Sequence, residues 1–187
     1  MPVIVNHLRD VLVLDFTVHR DARGAFAETW HEVRHREAGV PSRFVQDNVS
    51  WSSRGVLRGL HFQWPHAQGK LISVLAGEVF DVAVDVRAGS PSFGQWAGYT
   101  LSHDAGRQLY LPPGFAHGFV VLSEHAIFSY KCTDFYRPDA ERLLRWNDAD
   151  VGIEWPVKEV HLSDRDSRAP RLRDLSPDHL PAYAATG

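Results

Sequence analysis

The chain is a succession of short apolar runs, most of them alternating with polar residues at period two. Such alternation turns one side of an extended segment toward a core and the other away from it. Val11 to Val18 reads as a strand, His19 to Gly24 as a polar turn, and Ala25 to Trp30 as a second strand. His31 to Ala38 is polar with helix-tolerant residues, and Gly39-Val40-Pro41 stops it. Phe44 to Trp51 is a strand with Gln46 and Asn48 on one face. Val56 to Gln63 carries Arg58 and His61, whose odd separation puts them on opposite faces unless a bulge forms at Gly59. Leu71 to Ala76, Val79 to Val86, Trp96 to Ser102, Gln108 to Leu111, Phe119 to Leu122 and Ala126 to Asp134 continue the β pattern. Asp164 to Ala169 is polar and ends at Pro170. Leu172 to Leu180 reads as a short helix, and the chain from about residue 173 as a loosely attached tail. Short strands at this spacing predict a mostly β sandwich or barrel, taken as one domain over residues 1–187.

Composition narrows the function classes. A chain of 187 residues can bury a real core, and 44% hydrophobic with 23% charged residues is ordinary for a globular protein. A net charge of −3 argues against nucleic acid as the main partner. The single Cys132 leaves no intramolecular disulfide and no cysteine-based zinc site, which points to a reducing cytoplasm. No apolar run reaches the ~18 residues of a membrane span, and the N-terminus lacks a basic-then-apolar export pattern.

Two spacings stand out. Gly55 is followed by His61 and Gln63, then Lys70 and Gly77; Gly106 is followed by Pro112, Gly114 and His117. As G-x5-H-x-Q…K-x6-G and G-x5-P-x-G-x2-H they resemble the paired motifs of the cupin superfamily, a double-stranded β-helix or jelly roll. In metal-binding cupins, His61 and His117 would be two ligands. Here Gln63 replaces a further His and Lys70 replaces the Glu. A charged ammonium cannot ligate and repels a divalent cation, so no metal is expected. For each His the plain alternative is a hydrogen-bonded core residue.

A cation in place of a metal suits an oxygen that gains negative charge. Lys70 can stabilise an enolate, and a pocket histidine can remove a proton next to the carbonyl. Tyr130 shares a face with Phe128 and Cys132 by alternation. It can return a proton from the opposite side, or simply be core.

The ordered set Phe44-Val-Gln-Asp-Asn, Gly55-Val-Leu-Arg-Gly-Leu-His-Phe-Gln, Gln68-Gly-Lys-Leu, Ser90-Pro-Ser-Phe-Gly-Gln-Trp, Pro113-Gly-Phe-Ala-His-Gly-Phe, Tyr130-Lys-Cys-Thr-Asp-Phe-Tyr and Leu162-Ser-Asp-Arg-Asp resembles the dTDP-4-dehydrorhamnose 3,5-epimerase family, from about Val11 to Leu172. The resemblance implies His61 as catalytic base, Asp166 as the carboxylate that orients it, Tyr130 as proton donor and Lys70 near the C4 carbonyl. It implies substrate contacts from Gln46, Asp47, Asn48, Arg58, His117, Tyr136, Glu141 and Arg165. It also implies Arg23 and Glu28 supplied across a homodimer whose N-terminal strands are exchanged. No cofactor is implied. Ala25-Phe26-Ala27 replaces a run of bulky aromatics common in the family, and His19 replaces a frequent aromatic, so sugar specificity stays open. The expected reaction inverts C3 and C5 of a dTDP-4-keto-6-deoxyhexose. The alternatives are a 3- or 5-monoepimerase, a non-catalytic sugar-nucleotide-binding cupin and a metal-dependent cupin enzyme.

Overall fold

Two antiparallel sheets lie face to face in the computed structural model, which describes residues 3–5, 8 and 10–184. Among these, the elements in chain order are β1 (Val3–Val5), β2 (Leu12–Asp15), β3 (Val18–Asp21), β4 (Gly24–Ala27), α1 (Glu32–Glu37), β5 (Gln46–Ser53), β6 (Leu57–Gln63), β7 (Lys70–Ala76), β8 (Glu78–Asp85), β9 (Trp96–Ser102), β10 (Arg107–Leu111), β11 (Phe115–Val121), β12 (His125–Cys132), β13 (Glu141–Leu143) and α2 (Asp164–Ser167). One sheet has the order β1-β2-β10-β7-β12-β5 and the other β13-β6-β11-β8-β9, while β3 and β4 form a separate hairpin. This is the cupin-type jelly roll anticipated from the motif spacing.

The interior between the sheets is apolar at one end: Ile72, Val74, Ala83, Leu109, Phe119 and Phe128 pack in one cluster. The five-stranded sheet is covered on its outer face too. Leu60, Phe62, Val82, Val84 and Ala116 pack there against Leu144, Val151 and Leu172. Burial on both faces explains why β8 is almost wholly buried although it alternates: Val82 and Val84 face outward under the later chain, while Asp81, Ala83 and Asp85 face inward.

Several local expectations need correction. Val11 to Val18 is two strands, broken at Phe16, whose N–H donates to the Gly106 carbonyl at 2.7 Å. The polar stretch after it is not a turn throughout: Val18–Asp21 pairs with Gly24–Ala27. Residues 172–180 hold two separate 3-10 turns, Leu172–Asp174 and Pro177–His179, rather than one helix. Pro177 lacks the N–H that a continuous helix needs. The tail is also docked. The Tyr183 N–H donates to the Ala88 carbonyl at 2.9 Å, and the Tyr183 ring lies 5.0 Å from the Arg87 guanidinium. Only its last three residues lie outside the described chain.

Candidate active site

The site is at the polar end of the interior, and a bulge in β6 builds it. His61 pairs with His117 on β11, while Arg58 pairs with Phe119, so β6 spends one residue more than β11 over the same span. The extra residue sits at Gly59, whose φ of +127° suits glycine alone. A Cβ there would lie 2.5 Å from the Gly118 Cα, so the two strands could not approach this closely with a side chain present. The bulge turns both Arg58 and His61 to the cavity.

His61 Nε2 lies 2.6 Å from Asp166 Oδ1. Asp166 comes from the single turn of α2, which Ser163 caps by accepting the Asp166 N–H at 3.1 Å. The preceding segment is stitched to β6: the Leu57 N–H donates to the His161 carbonyl at 3.0 Å, and the His161 N–H to the Gly55 carbonyl at 2.8 Å. Burial pushes the Asp166 carboxyl up. Hydrogen bonds from His61, Ser163 and the Gly59 N–H outweigh that and hold it below its ordinary range. Asp166 is therefore a carboxylate at neutral pH.

Lys70, Tyr130 and His117 line the same cavity of about 620 Å³. The Lys70 ammonium is 5.8 Å from the Tyr130 ring centre. Burial lowers the Lys70 pKa, against the charges of Cys132, Asp81 and Glu141. Burial pushes the Tyr130 hydroxyl up to about 12, so it holds its proton at neutral pH. Behind His117 stands Asp81, which sequence reading did not single out; its Oδ2 is 2.9 Å from His117 Nε2. The signal for it was an acidic residue inside the apolar run Val79 to Val86.

A second lobe shares His61, Lys70 and Tyr130 and adds Gln46, Asn48, Tyr136 and Glu141. Gln46 and Asn48 do share a face, with Gln46 Nε2 donating to Asn48 Oδ1 at 3.0 Å. The Tyr136 hydroxyl donates to Glu141 at 3.0 Å, and Arg165 pairs with the same carboxylate. Gln63, which takes a metal-ligand position, is buried and satisfied by the Phe135 and His66 carbonyls and the Arg137 N–H. Among the described residues no group of three or more His, Cys, Asp and Glu side chains is arranged to hold a metal ion.

Three expected contacts are not brought to this cavity within the chain. Asp47, one residue out of phase with Gln46 and Asn48, points to the other side of β5 and pairs with Lys131 at 2.8 Å. Arg23 sits at the tip of the β3–β4 hairpin, its side chain 90% exposed and paired with Asp21. Glu28 pairs with Arg34.

A buried carboxylate on an imidazole, with a protonated phenol and an ammonium around the same space, can take a proton from one side of a carbon and return it from another. Cupin-type isomerases that epimerise carbons next to a carbonyl are the class that this barrel and cavity define. Comparison with known proteins narrows the class. Residues 6–174 match the family model described as dTDP-4-dehydrorhamnose 3,5-epimerase. The enzyme of that name from Pseudomonas aeruginosa is 52% identical over 167 residues, 88% of this chain and 92% of its own length. A crystal structure from Legionella pneumophila, in complex with dTDP-4-keto-L-rhamnose, is 48% identical with a TM-score of 0.95, covering 98% of this chain and 99% of that one. A 3'-monoepimerase from Streptomyces bikiniensis, in complex with dTDP-quinovose, is 34% identical with a TM-score of 0.90, covering 96% of this chain and 92% of its own. The chain belongs to the dTDP-4-dehydrorhamnose 3,5-epimerase family.

Proposed function

We propose that the protein inverts C3 and C5 of dTDP-4-dehydro-6-deoxy-D-glucose to give dTDP-4-dehydro-L-rhamnose. The observation that carries this reading is the His61–Asp166 pair at 2.6 Å, opening on the cavity that also holds Lys70 and Tyr130. The C4 ketone acidifies the protons on C3 and C5. With Asp166 ionised, His61 keeps its proton on Nε2 and offers the lone pair of Nδ1 as base. Lys70 stabilises the enolate oxygen at C4. Tyr130 returns a proton to the opposite face, and two rounds complete the conversion. Arg58, Gln46, Asn48, His117, Tyr136, Glu141 and Arg165 hold the remainder of the substrate.

The active unit in this reading is a homodimer. The β3–β4 hairpin stands apart from both sheets, with Phe26 71% exposed. Strand β5 is an uncovered edge that shows Val49 and Trp51 to solvent, Trp51 at 70%. Arg23 and Glu28 on or beside that hairpin then serve the partner's site. We place the enzyme in the cytoplasm, where its one buried thiol, Cys132, stays reduced.

Incubation with dTDP-4-dehydro-6-deoxy-D-glucose in D2O, followed by NMR, tests the reaction. Deuterium at both C3 and C5 with inverted configuration is expected. Deuterium at C3 alone would make the protein a 3-monoepimerase, and no incorporation would leave a binding protein.

A further inference from the structure

The cavity is flanked by two His–Asp pairs of similar geometry and different surroundings. His61 and His117 are cross-strand partners, and each meets its carboxylate through Nε2. Asp166 collects donors besides its histidine: Ser163 and the Gly59 N–H. Asp81 is fully buried, and its Oδ1 finds no hydrogen-bond partner among the described residues. Its cross-strand neighbours are aromatic, Phe119 and Tyr99, and the nearby Lys70 charge acts on it as well. Phe128 stacks on both Phe119 and His117.

A bare carboxylate oxygen in such a place is costly, whereas the carbonyl oxygen of a neutral acid is far less so. Burial pushes Asp81 up, outweighing the charges of His117 and Lys70, and pushes His117 down, with Lys70 and His61 adding to that and Asp81 opposing it. A neutral acid donates its O–H to Nε2, and the imidazole proton must then sit on Nδ1. We propose that Asp81 is a positioning residue: it keeps a proton against Nε2 of His117, so that the ring presents an N–H at Nδ1 to the cavity and gives the forming enolate oxygen a second, uncharged donor beside Lys70. The proposal rests on the reaction given above. An uncharged donor has a physical advantage here. Once His61 has taken the substrate proton it is a cation in a cavity already lined by Lys70 and Arg58; a further positive charge on His117 would raise the cost of that state. The two histidines thus have opposite polarity, His61 a base at Nδ1 and His117 a donor at Nδ1, set by one ionised and one protonated aspartate.

Two measurements decide it. In 15N NMR of the substrate-free wild type at neutral pH, His117 is expected to carry its hydrogen on Nδ1 and His61 on Nε2. A bare Nδ1 on His117 overturns the proposal, whatever the substrate proves to be. In kinetics, Asp81→Asn, whose amide N–H can still donate to Nε2, should keep kcat within about threefold. Asp81→Leu should lose about 10²-fold in kcat with KM little changed, as for one lost oxyanion donor. Equal losses in the two folded variants overturn it; should Asp81→Leu not fold, the NMR result decides alone. A wild type that fails to exchange deuterium into the sugar would instead remove the reaction, leaving the tautomer of His117 a separate finding.

Discussion

At the scale of single residues, His61 and Tyr130 are assigned different steps, and exchange separates them. His61→Asn should lose both deuterium exchange and inversion by about 10²-fold or more, the lower range for a positioned general base. Tyr130→Phe keeps the base, Asp166 and Lys70. It should still wash deuterium into the sugar while inverting it poorly, because His61 can return a deuteron only to the face it took the proton from. Both rates are read by NMR. An unchanged ratio of exchange to inversion in Tyr130→Phe would return Tyr130 to the role of a core residue, which its packing against Phe128 at 6.1 Å would also serve.

At the scale of elements, two features carry predictions, one beside the site and one at the far end of β8. The first is the β6 bulge. Gly59→Ala should destabilise the protein by about 1–3 kcal/mol from the positive φ alone, with further loss from the 2.5 Å approach to Gly118. It should also reduce turnover by displacing His61. Urea denaturation and kcat check both, and a variant of wild-type stability would show that β6 tolerates a side chain there. The second is the turn after β8. Burial pushes the Asp85 carboxyl up, but hydrogen bonds from Arg87, Ser90 and Ser92 outweigh it and hold it below its ordinary range. Because the folded value lies below the unfolded one, about 3.9, this stabilisation is complete above that value and drains away as pH falls through the folded value. Asp85→Asn should therefore lower Tm at neutral pH and flatten the acid limb of Tm against pH. An acid limb as steep as wild type would assign it to the other depressed carboxylates, Asp166, Glu141 and Asp21.

At the scale of the whole molecule, the prediction concerns the shared site. In the proposed homodimer, Arg23→Ala should raise KM for the dTDP-sugar and leave the sedimentation coefficient as in wild type. If each site joins His61 of one chain to Arg23 of the other, mixing subunits of Arg23→Ala with His61→Asn regenerates one complete site per mixed dimer. Turnover at low substrate should then exceed the sum of the separate variants. Simple additivity after subunit exchange would place Arg23 outside the site.

Period-two alternation by itself determined most of the strands and the inward face of β5 and β12, because side-chain direction in an extended chain follows from local backbone geometry. It also put Gln46 with Asn48, and Tyr130 with Phe128, on shared faces as the structure has them, and the glycine at position 59 already announced the bulge that reconciles Arg58 with His61. The same rule shows why Asp47, adjacent to both Gln46 and Asn48, had to face the other way. Other features needed the tertiary structure. Asp166 meets His61 across 105 residues, and no local pattern encodes that approach; it depends on how the segment before α2 is stitched to β6. Alternation in β8 could not say that both of its faces are buried: the outer face is closed by Leu144, Val151 and Leu172, while Asp81 is buried on the inner face against His117, which comes from a strand 36 residues away. The docking of the tail on Ala88 and Arg87 belongs to the same category, since polar composition is local while the partner that orders it lies far away in the chain.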